Sequence, residues 1–152
     1  MPKTEVDGME AFSGLLTELT SNSTGLIKRG LYEANKPLYA EVKRGLDALP
    51  TGKKELDEVQ KEGLLKSLYG SEFQEKDGEI YFVISVTGYN DKKTKSYPKG
   101  QPNIMLLRSL ERGTSYLHKH PVMRKSLNAA KGRAIEAMQK TISKDIANMQ
   151  KG

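Results

Sequence analysis

The sequence predicts an α+β fold in a single domain covering residues 1–152: a small antiparallel sheet packed by a long kinked helix and a long C-terminal helix. Three observations support this fold class. Apolar residues recur at helical spacing in the first half of the chain and again at its end. Residues 79–87 are rich in the β-branched and aromatic side chains that strands favour. Residues 88–102 lack apolar periodicity and contain glycine and proline, which predicts a long exposed loop.

Two of the predicted helices lie in the N-terminal region. Asp7 is a candidate N-cap for a first helix near residues 8–20. A second helix is predicted for residues 24–47, and Pro37 is expected to kink it near Glu33 because proline removes a backbone hydrogen bond. The apolar face of the second helix contains Ile27, Leu31, Leu38, Val42 and Leu46.

A third helix and a β-hairpin follow. The helix is more polar, begins after a turn at residues 49–52 and ends at residues 69–71. Asp77-Gly78 suits the positive φ angles of a tight hairpin turn, so residues 79–87 are expected to pair with a strand that contains Phe73. The apolar positions of the third helix are Leu56, Val59, Leu64, Leu65 and Leu68.

The C-terminal region predicts two further helices. Asn103 is expected to cap a short helix that ends at Gly113 in the left-handed conformation. Pro121 is expected in the first turn of the last helix, because the fixed φ of proline suits that position. The apolar face of the last helix is predicted to contain Leu127, Ala134, Ile135, Met138, Ile142 and Met149.

Composition limits the class of protein. The chain is 36% hydrophobic and 29% charged, which is typical of a globular domain. No apolar run approaches the roughly 18 residues of a membrane span, and the N-terminus shows no apolar signal segment, so neither membrane insertion nor export is expected. The absence of cysteine excludes disulfides, thiolate metal ligands and cysteine nucleophiles.

Charge is unevenly distributed along the chain. The net charge is +6, but residues 1–76 contain 11 Lys and Arg against 13 Asp and Glu, whereas residues 77–152 contain 14 against 6. Only Asp91 and Glu111 oppose the 11 basic residues between positions 91 and 133. This pattern predicts an electropositive surface that faces a polyanion or an acidic partner. The alternative is a solvated, lysine-rich face.

The motifs that could support chemistry are incomplete. Residues 52–54, Gly-Lys-Lys, lack the spacing and the Ser or Thr of a phosphate-binding loop. His118 and His120 could supply two metal ligands, but Glu111 is the only carboxylate near them in sequence. Ser115 has no surrounding nucleophile elbow and no acid placed to orient a base. We therefore predict no catalytic, cofactor-binding or metal-binding residues.

One acidic cluster alternates with lysines and is interpreted as a salt-bridged solvent face: Glu55, Asp57, Glu58 and Glu62.

A corner is predicted between the last two helices. Gly113 permits a backbone reversal that a Cβ atom would penalise, and Thr114 or Ser115 can hydrogen-bond to the turned backbone. Glu111 is expected to accept hydrogen bonds from the same groups or to pair with a basic neighbour. We interpret the corner as a structural feature that fixes the course of the chain. The alternative is that its residues contact a partner directly.

Two short motifs in a fixed order resemble a known family. The first is Gly63-Leu64-Leu65-Lys66-Ser67-Leu68, and the second is Glu111-x-Gly113-Thr114-Ser115 followed by His120-Pro121. A strand ending at Gly88-Tyr89 and a Pro-Lys-Gly-Gln-Pro-Asn run at residues 98–103 lie between them. From about residue 9 to residue 150, the arrangement resembles the tail-completion, or head-to-tail joining, proteins of tailed bacteriophages and prophages. The residues that match the motifs are Gly63, Leu64, Ser67, Leu68, Glu111, Gly113, Thr114, Ser115 and Pro121.

The resemblance implies a small structural virion protein that is not an enzyme and has no cofactor. It implies a ring, most simply a hexamer because tails have sixfold symmetry, at the junction of tail and head, through which DNA passes. The implied partners are further copies of the chain and the neighbouring tail-tube, terminator or connector proteins. The implied location is the virion, after assembly in the cytoplasm of the host bacterium.

Six basic residues are then expected to contact another ring or to face the DNA channel: Lys92, Lys93, Lys95, Lys99, Arg108 and Arg112. Such a surface would act by nonspecific, salt-sensitive neutralisation of phosphates. An alternative function is a small basic nucleic-acid-binding protein in which Tyr89 and Tyr97 stack on bases. A hydrolase that uses Ser115 and a histidine is a third interpretation.

Overall fold

The computed structural model describes residues 23–70 and 74–151, so the helix predicted near residues 8–20 and the position of Phe73 lie outside the described residues. Within these ranges the chain forms four helices: α1 Ser23–Asp47, α2 Glu58–Ser67, α3 Asn103–Arg112 and α4 Val122–Lys151. It also forms four short strands: β1 Tyr69–Gly70, β2 Gln74–Lys76, β3 Glu79–Tyr81 and β4 Ile84–Ser85. The predicted α+β fold class is confirmed.

The long helix α1 continues through Pro37, which lies in its interior. An interior proline costs about 3 kcal/mol, because it removes a backbone hydrogen bond and its ring crowds the preceding turn. Tertiary packing offsets this cost, since α1 lies along α4 for most of its length. The helix therefore spans the predicted residues without ending at the proline.

Helices α1 and α4 are antiparallel and approach closely. A Cβ atom on Gly30 would lie 2.9 Å from the Cγ of Met138, and one on Gly45 would lie 3.2 Å from the Oγ of Ser126. Gly30, early in α1, thus faces Met138, late in α4. Gly45, late in α1, faces Ser126, early in α4. The glycines create the space that brings the two backbones together.

This close approach changes which face of α4 is buried. Ser126, Ala130 and Ala134 are buried, whereas Leu127 and Ile135 are 51% and 45% exposed. The prediction that Leu127 and Ile135 belong to the core face was wrong, because small side chains occupy the contact and the large ones lie beside it. Ala134 is buried as predicted, and Met138, Ile142 and Met149 are half-buried.

The main core lies where the end of α1 meets α2, α3 and the start of α4. Leu46, Leu56, Leu64 and Leu110 have no more than 1% of their surface exposed. Residues of α1, α3 and α4, together with residues of the connecting segments, complete this core: Val42, Leu49, Leu68, Val86, Leu106, Leu107, Leu117 and Val122.

The strands form two antiparallel ribbons instead of one long hairpin. Strand β1 pairs with β4, and β2 pairs with β3 around the predicted turn, where Asp77 and Gly78 have φ angles of 52° and 81°. Three residues separate β1 from β2, whereas two separate β3 from β4. The pairing register therefore shifts by one residue, which divides the predicted strand at residues 79–87 into β3 and β4.

Candidate functional site

The basic loop, residues 88–102, is closed at its base by backbone hydrogen bonds. The Asn90 N–H donates to the Gln101 carbonyl at 2.9 Å, and the Asn103 N–H donates to the Gly88 carbonyl at 2.9 Å. Asn90 itself is buried, and its Oδ1 accepts from the Gln101 and Lys92 N–H groups at 3.1 and 2.9 Å. Apart from an isolated antiparallel β-bridge between Tyr89 and Pro102, the loop contains no helix or strand, but it has a defined internal structure.

The tip of the loop lies against α3. Thr94 and Tyr97 exchange two backbone hydrogen bonds, of 3.0 and 3.1 Å, which close a tight turn. The Tyr97 hydroxyl donates to the Met105 Sδ at 3.0 Å, and Tyr97 is half-buried there. Tyr97, one of the two tyrosines predicted as candidates for base stacking, thus helps to hold the loop against α3.

The N-terminal cap of α2 anchors the other side of the loop. Asp57 and Gln60 form a capping box, in which the Asp57 Oδ1 accepts from the Gln60 N–H at 2.8 Å and the Gln60 Oε1 accepts from the Asp57 N–H at 3.0 Å. The Gln60 Nε2 then donates to the Gln101 Oε1 at 2.8 Å. Lys92 donates to the Asp57 Oδ2. Burial raises the pKa of the Asp57 carboxyl, but the bonds from Lys92 and the Gln60 backbone outweigh it, so the net pKa is lowered.

Five of the six predicted basic residues form one exposed set, which we call the basic surface: Lys93, Lys95, Lys99, Arg108 and Arg112. Lys92 does not belong to it, because its ammonium group is paired with Asp57. Arg108 and Arg112 lie one helical turn apart on α3, on the side of Met105 where the loop tip rests. None of the five makes an ion pair with a described residue, so their charges face solvent.

The corner between α3 and α4 has the predicted backbone reversal. Gly113 has φ of 77°, and a Cβ atom there would lie 2.9 Å from the Cβ of Lys119. Thr114 and Leu117 exchange two backbone hydrogen bonds, and the Thr114 Oγ1 accepts from the Tyr116 N–H at 3.1 Å. Ser115 and Tyr116 are exposed at the tip of this turn, so the corner faces outward.

Glu111 has a role that the sequence did not reveal. Its Oε1 accepts from the Met123 N–H at 2.6 Å, so it caps the first turn of α4 instead of bonding to Thr114 or Ser115 or pairing with a basic neighbour. Pro121 precedes α4, and its carbonyl accepts from the Lys125 N–H at 2.9 Å. The end of α3 therefore fixes the start of α4 through one carboxylate.

Asn103 also differs from its prediction. Pro102 occupies the N-cap position of α3, and Asn103 is the first residue of the helix, only 1% exposed. The Asn103 Nδ2 donates to the Thr87 carbonyl at 2.9 Å, so the side chain fixes the chain before the loop instead of capping the helix.

The sequence did not reveal that Glu55 forms hydrogen bonds with both histidines, His118 and His120. The Glu55 Oε1 lies 2.7 Å from the His118 Nδ1, and its Oε2 lies 2.7 Å from the His120 Nε2. A carboxylate only accepts, so each of these ring nitrogens donates. The hydrogen bond from His118 lowers the pKa of Glu55, and the bond from His120 adds to the effect. Glu55 and Asp57 are thus specific structural groups and not part of a solvent face, because tertiary contacts bring histidine and lysine donors to them.

The geometry around Glu55 is that of a hydrogen-bonded clamp. Each of the two oxygen–nitrogen distances, 2.7 Å, is that of a direct hydrogen bond. No group of three or more His, Cys, Asp or Glu residues in the described parts of the chain is arranged to hold a metal ion. No hydrogen bond in those parts links Ser115 to either histidine.

The residues of the first sequence motif pack against the base of the loop. A Cβ atom on Gly63 would lie 2.5 Å from the Cβ of Asn90 and 2.9 Å from the Asn103 Oδ1. Leu64 and Leu68 are buried, and the Ser67 Oγ donates to the Leu64 carbonyl at 3.4 Å. The first motif thus supports the loop, and the second motif forms the corner.

Comparison of the chain with family models, with curated proteins and with solved structures found no match. Among the helices of the described residues, none has a stretch both long and apolar enough for a membrane span.

We expect Gly63→Ala to lower the free energy of unfolding by about 1–3 kcal/mol, because the new methyl group would overlap Asn90. Gly132→Ala is the matched control, since it is also a helical glycine but has no neighbouring atom within 4 Å. It should raise stability by about 0.5–1 kcal/mol through helix propensity alone. Urea unfolding of both variants measures the difference, and equal stability of the two would contradict the packing described at Gly63.

We expect Glu55→Gln to lower stability in a pH-dependent manner. The pKa of Glu55 is lowered from its ordinary value of 4.5, so its charged form stabilises the fold above that pH and the contribution is lost as the pH falls through the folded pKa. The stability difference between wild type and Glu55→Gln should therefore narrow over a range of pH that begins near 4.5 and extends below it. Glu136→Gln, which removes an exposed carboxylate of α4, is the control. A difference that is constant over this range would contradict the clamp.

Proposed function

We propose that this chain is a structural virion protein, a tail-completion or head-to-tail connector component, that forms a ring at the tail and head junction and allows DNA to pass. Its role is assembly and not catalysis, and its location is the virion. The observation that supports this function best is the rigid presentation of the basic surface. Hydrogen bonds to α2 and α3 fix a long polar loop in place, while Lys93, Lys95 and Lys99 remain unpaired among the described residues.

Rigid presentation suits a surface that must fit a neighbour repeatedly. A loop that is already ordered loses little conformational entropy when it binds, so more of the interaction energy appears as affinity. The sequence motifs support the same function, because one motif supports the loop and the other orients α4 relative to it. The proposal also includes contacts with tail-tube, terminator or connector proteins and nonspecific contact with DNA.

Native mass measurement together with negative-stain imaging tests the ring. We expect a closed oligomer, most simply a hexamer, because identical head-to-tail contacts close into a ring when the rotation between subunits allows it. The oligomer should persist at moderate salt, since the core of such an interface is apolar. A chain that stays monomeric at high concentration, with or without DNA, would overturn the proposal.

A free-standing nucleic-acid-binding protein is the second candidate function. Two exposed tyrosines favour it: Tyr89, in the basic loop, is 67% exposed, and Tyr116, which lies close to Arg112 in sequence, is 85% exposed. Aromatic side chains between cations can stack on unpaired bases. This function differs from the first because it requires tight DNA binding by the monomer.

Replacement of Lys93, Lys95 and Lys99 by serine separates the two functions. If the monomer binds single-stranded DNA through these lysines, the slope of log affinity against log salt should fall by up to about 2, since each phosphate that a lysine neutralises on a single strand adds roughly 0.7 to the slope. The matched control removes the same charge from α4 by the substitutions Lys131→Ser, Lys140→Ser and Lys144→Ser. For a connector, we expect weak DNA binding by the monomer but defective particle assembly or DNA release in the loop variant. Normal particles and normal DNA release would exclude a role for the loop lysines.

A further inference from the structure

The two sides of the α1–α4 pair differ in polarity where the first half of α1 meets the second half of α4. One side is a polar groove, whose charged residues include Arg29, Lys140 and Lys144. Successive residues of an α-helix are rotated by about 100°, so a residue two positions away lies on nearly the opposite side. Leu31 is two positions from Arg29, and Ile146 is two positions from Lys144. The side opposite the polar groove is therefore apolar on both helices.

This second side carries a row of apolar residues, which we call the apolar strip: Ile27 and Leu31 of α1, and Ile135, Ile142 and Ile146 of α4. The α4 residues are seven and four positions apart, which places them on one face of the helix. Ile135 is 45% exposed, and the other four are half-buried. The main core lies at the other end of the α1–α4 pair. The strip thus retains accessible apolar surface.

The N-terminal segment, residues 1–22, joins the pair at one end of this strip. These residues lie outside the described residues, but the position of their attachment is known, since α1 begins at Ser23. Arg29, early in α1, pairs with Asp145, late in α4, at 2.5 Å. The start of α1 therefore lies beside the end of α4, and the N-terminal segment leaves the described structure there.

The sequence of this segment has the pattern and the length that fit the strip. The helix predicted at residues 8–20 has its apolar residues on one face: Met9, Phe12, Leu15, Leu16 and Leu19. A helix of this length measures about 20 Å, and the part of α4 from Ile135 to Ile146 measures about 17 Å. One apolar face of matching length is thus tethered to the end of the other.

Charge favours the same occupant. Residues 1–22 contain four Asp and Glu against one Lys, whereas α4 contains seven Lys and Arg against two Asp and Glu. Lys131 lies one helical turn before Ile135 and makes no ion pair with a described residue. An acidic segment along α4 therefore meets a cation that is still available at the strip.

We propose that the N-terminal segment of the same chain covers the apolar strip, as a helix over residues 8–20 that turns at residues 21–22 and packs along α1 and α4. Two residues are enough for the turn, because the loops of αα-hairpins contain two to five residues. Phe12, at the centre of the apolar face, then packs near Ile135 and Ile142. Thr17 is rotated by about 140° from Phe12 and faces away from the strip. This inference does not depend on the proposed ring, and it removes the strip from the surfaces that a neighbouring subunit can use.

Disulfide trapping in the full chain tests the contact, because the chain has no cysteine of its own. Phe12→Cys is combined with Ile135→Cys in one variant and with Ile142→Cys in a second, so that a small difference in register does not hide the contact. Under mild oxidation at low protein concentration, we expect at least one of them to form a disulfide within the monomer, since a bridge requires the two Cα atoms to come within about 7 Å. Thr17→Cys combined with the same two partners is the matched control and should show only background linkage.

Two outcomes of the trapping would overturn the proposal. One is linkage of the Phe12→Cys variants no greater than that of the Thr17→Cys controls. The other is a disulfide-linked dimer in place of a linked monomer, which would mean that a second copy of the chain covers the strip.

Thiol labelling adds a measurement that needs no bridge. We expect the thiol of Ile135→Cys to react about tenfold faster or more when the chain also carries Phe12→Asp, because burial of an unpaired charge is costly and the segment would leave the strip. Thr17→Asp is the control and should leave the rate of labelling unchanged. Equal rates in the Phe12→Asp and Thr17→Asp variants would overturn the docking of the segment.

Discussion

The capping box at the start of α2 is the interaction on which the arrangement of the site depends. The side chains of Asp57 and Gln60 each accept a hydrogen bond from the backbone N–H of the other, and each side chain also bonds to the basic loop, Asp57 through Lys92 and Gln60 through Gln101. A group that caps a helix is already ordered, so the loop gains fixed partners without a further loss of side-chain entropy. The start of one helix therefore fixes a loop whose contacting residues lie 35 and 41 positions later in the chain.

Helix α3 extends the same constraint to the corner. The loop tip packs on it through Tyr97, Gly113 turns the chain at its end, and Glu111 caps α4 from its last turn. The clamp from Glu55 to the two histidines ties the corner back to the segment before α2. The loop and the corner are consequently parts of one hydrogen-bonded unit.

The sequence predicted much of this fold but not the partners of its polar groups. The hairpin turn at Asp77-Gly78 and the extent of α1 followed from local rules, since positive φ angles and helical periodicity act over a few residues. The roles of Glu55 and Glu111 did not follow. Glu55 lies 63 and 65 positions from the histidines it contacts, and no local pattern connects them. Glu111 was expected to bond to Thr114 or Ser115, which follow it closely in sequence, or to pair with a basic neighbour. It caps α4 instead, a helix that begins only after the corner.

By itself, the sequence determined the fold class, the order of the four described helices, the basic character of residues 88–112 and the backbone reversal at Gly113. These features depend on side-chain periodicity, charge count and the φ preference of glycine, which are all local. Only the tertiary structure decided that Lys92 is paired while Lys93, Lys95 and Lys99 face solvent, and that Ala130 is buried while Leu127 and Ile135 are exposed. The reason is that pairing and burial depend on how closely two elements approach. That distance depends on residues of both elements, such as Gly45 against Ser126 and Gly63 against Asn90.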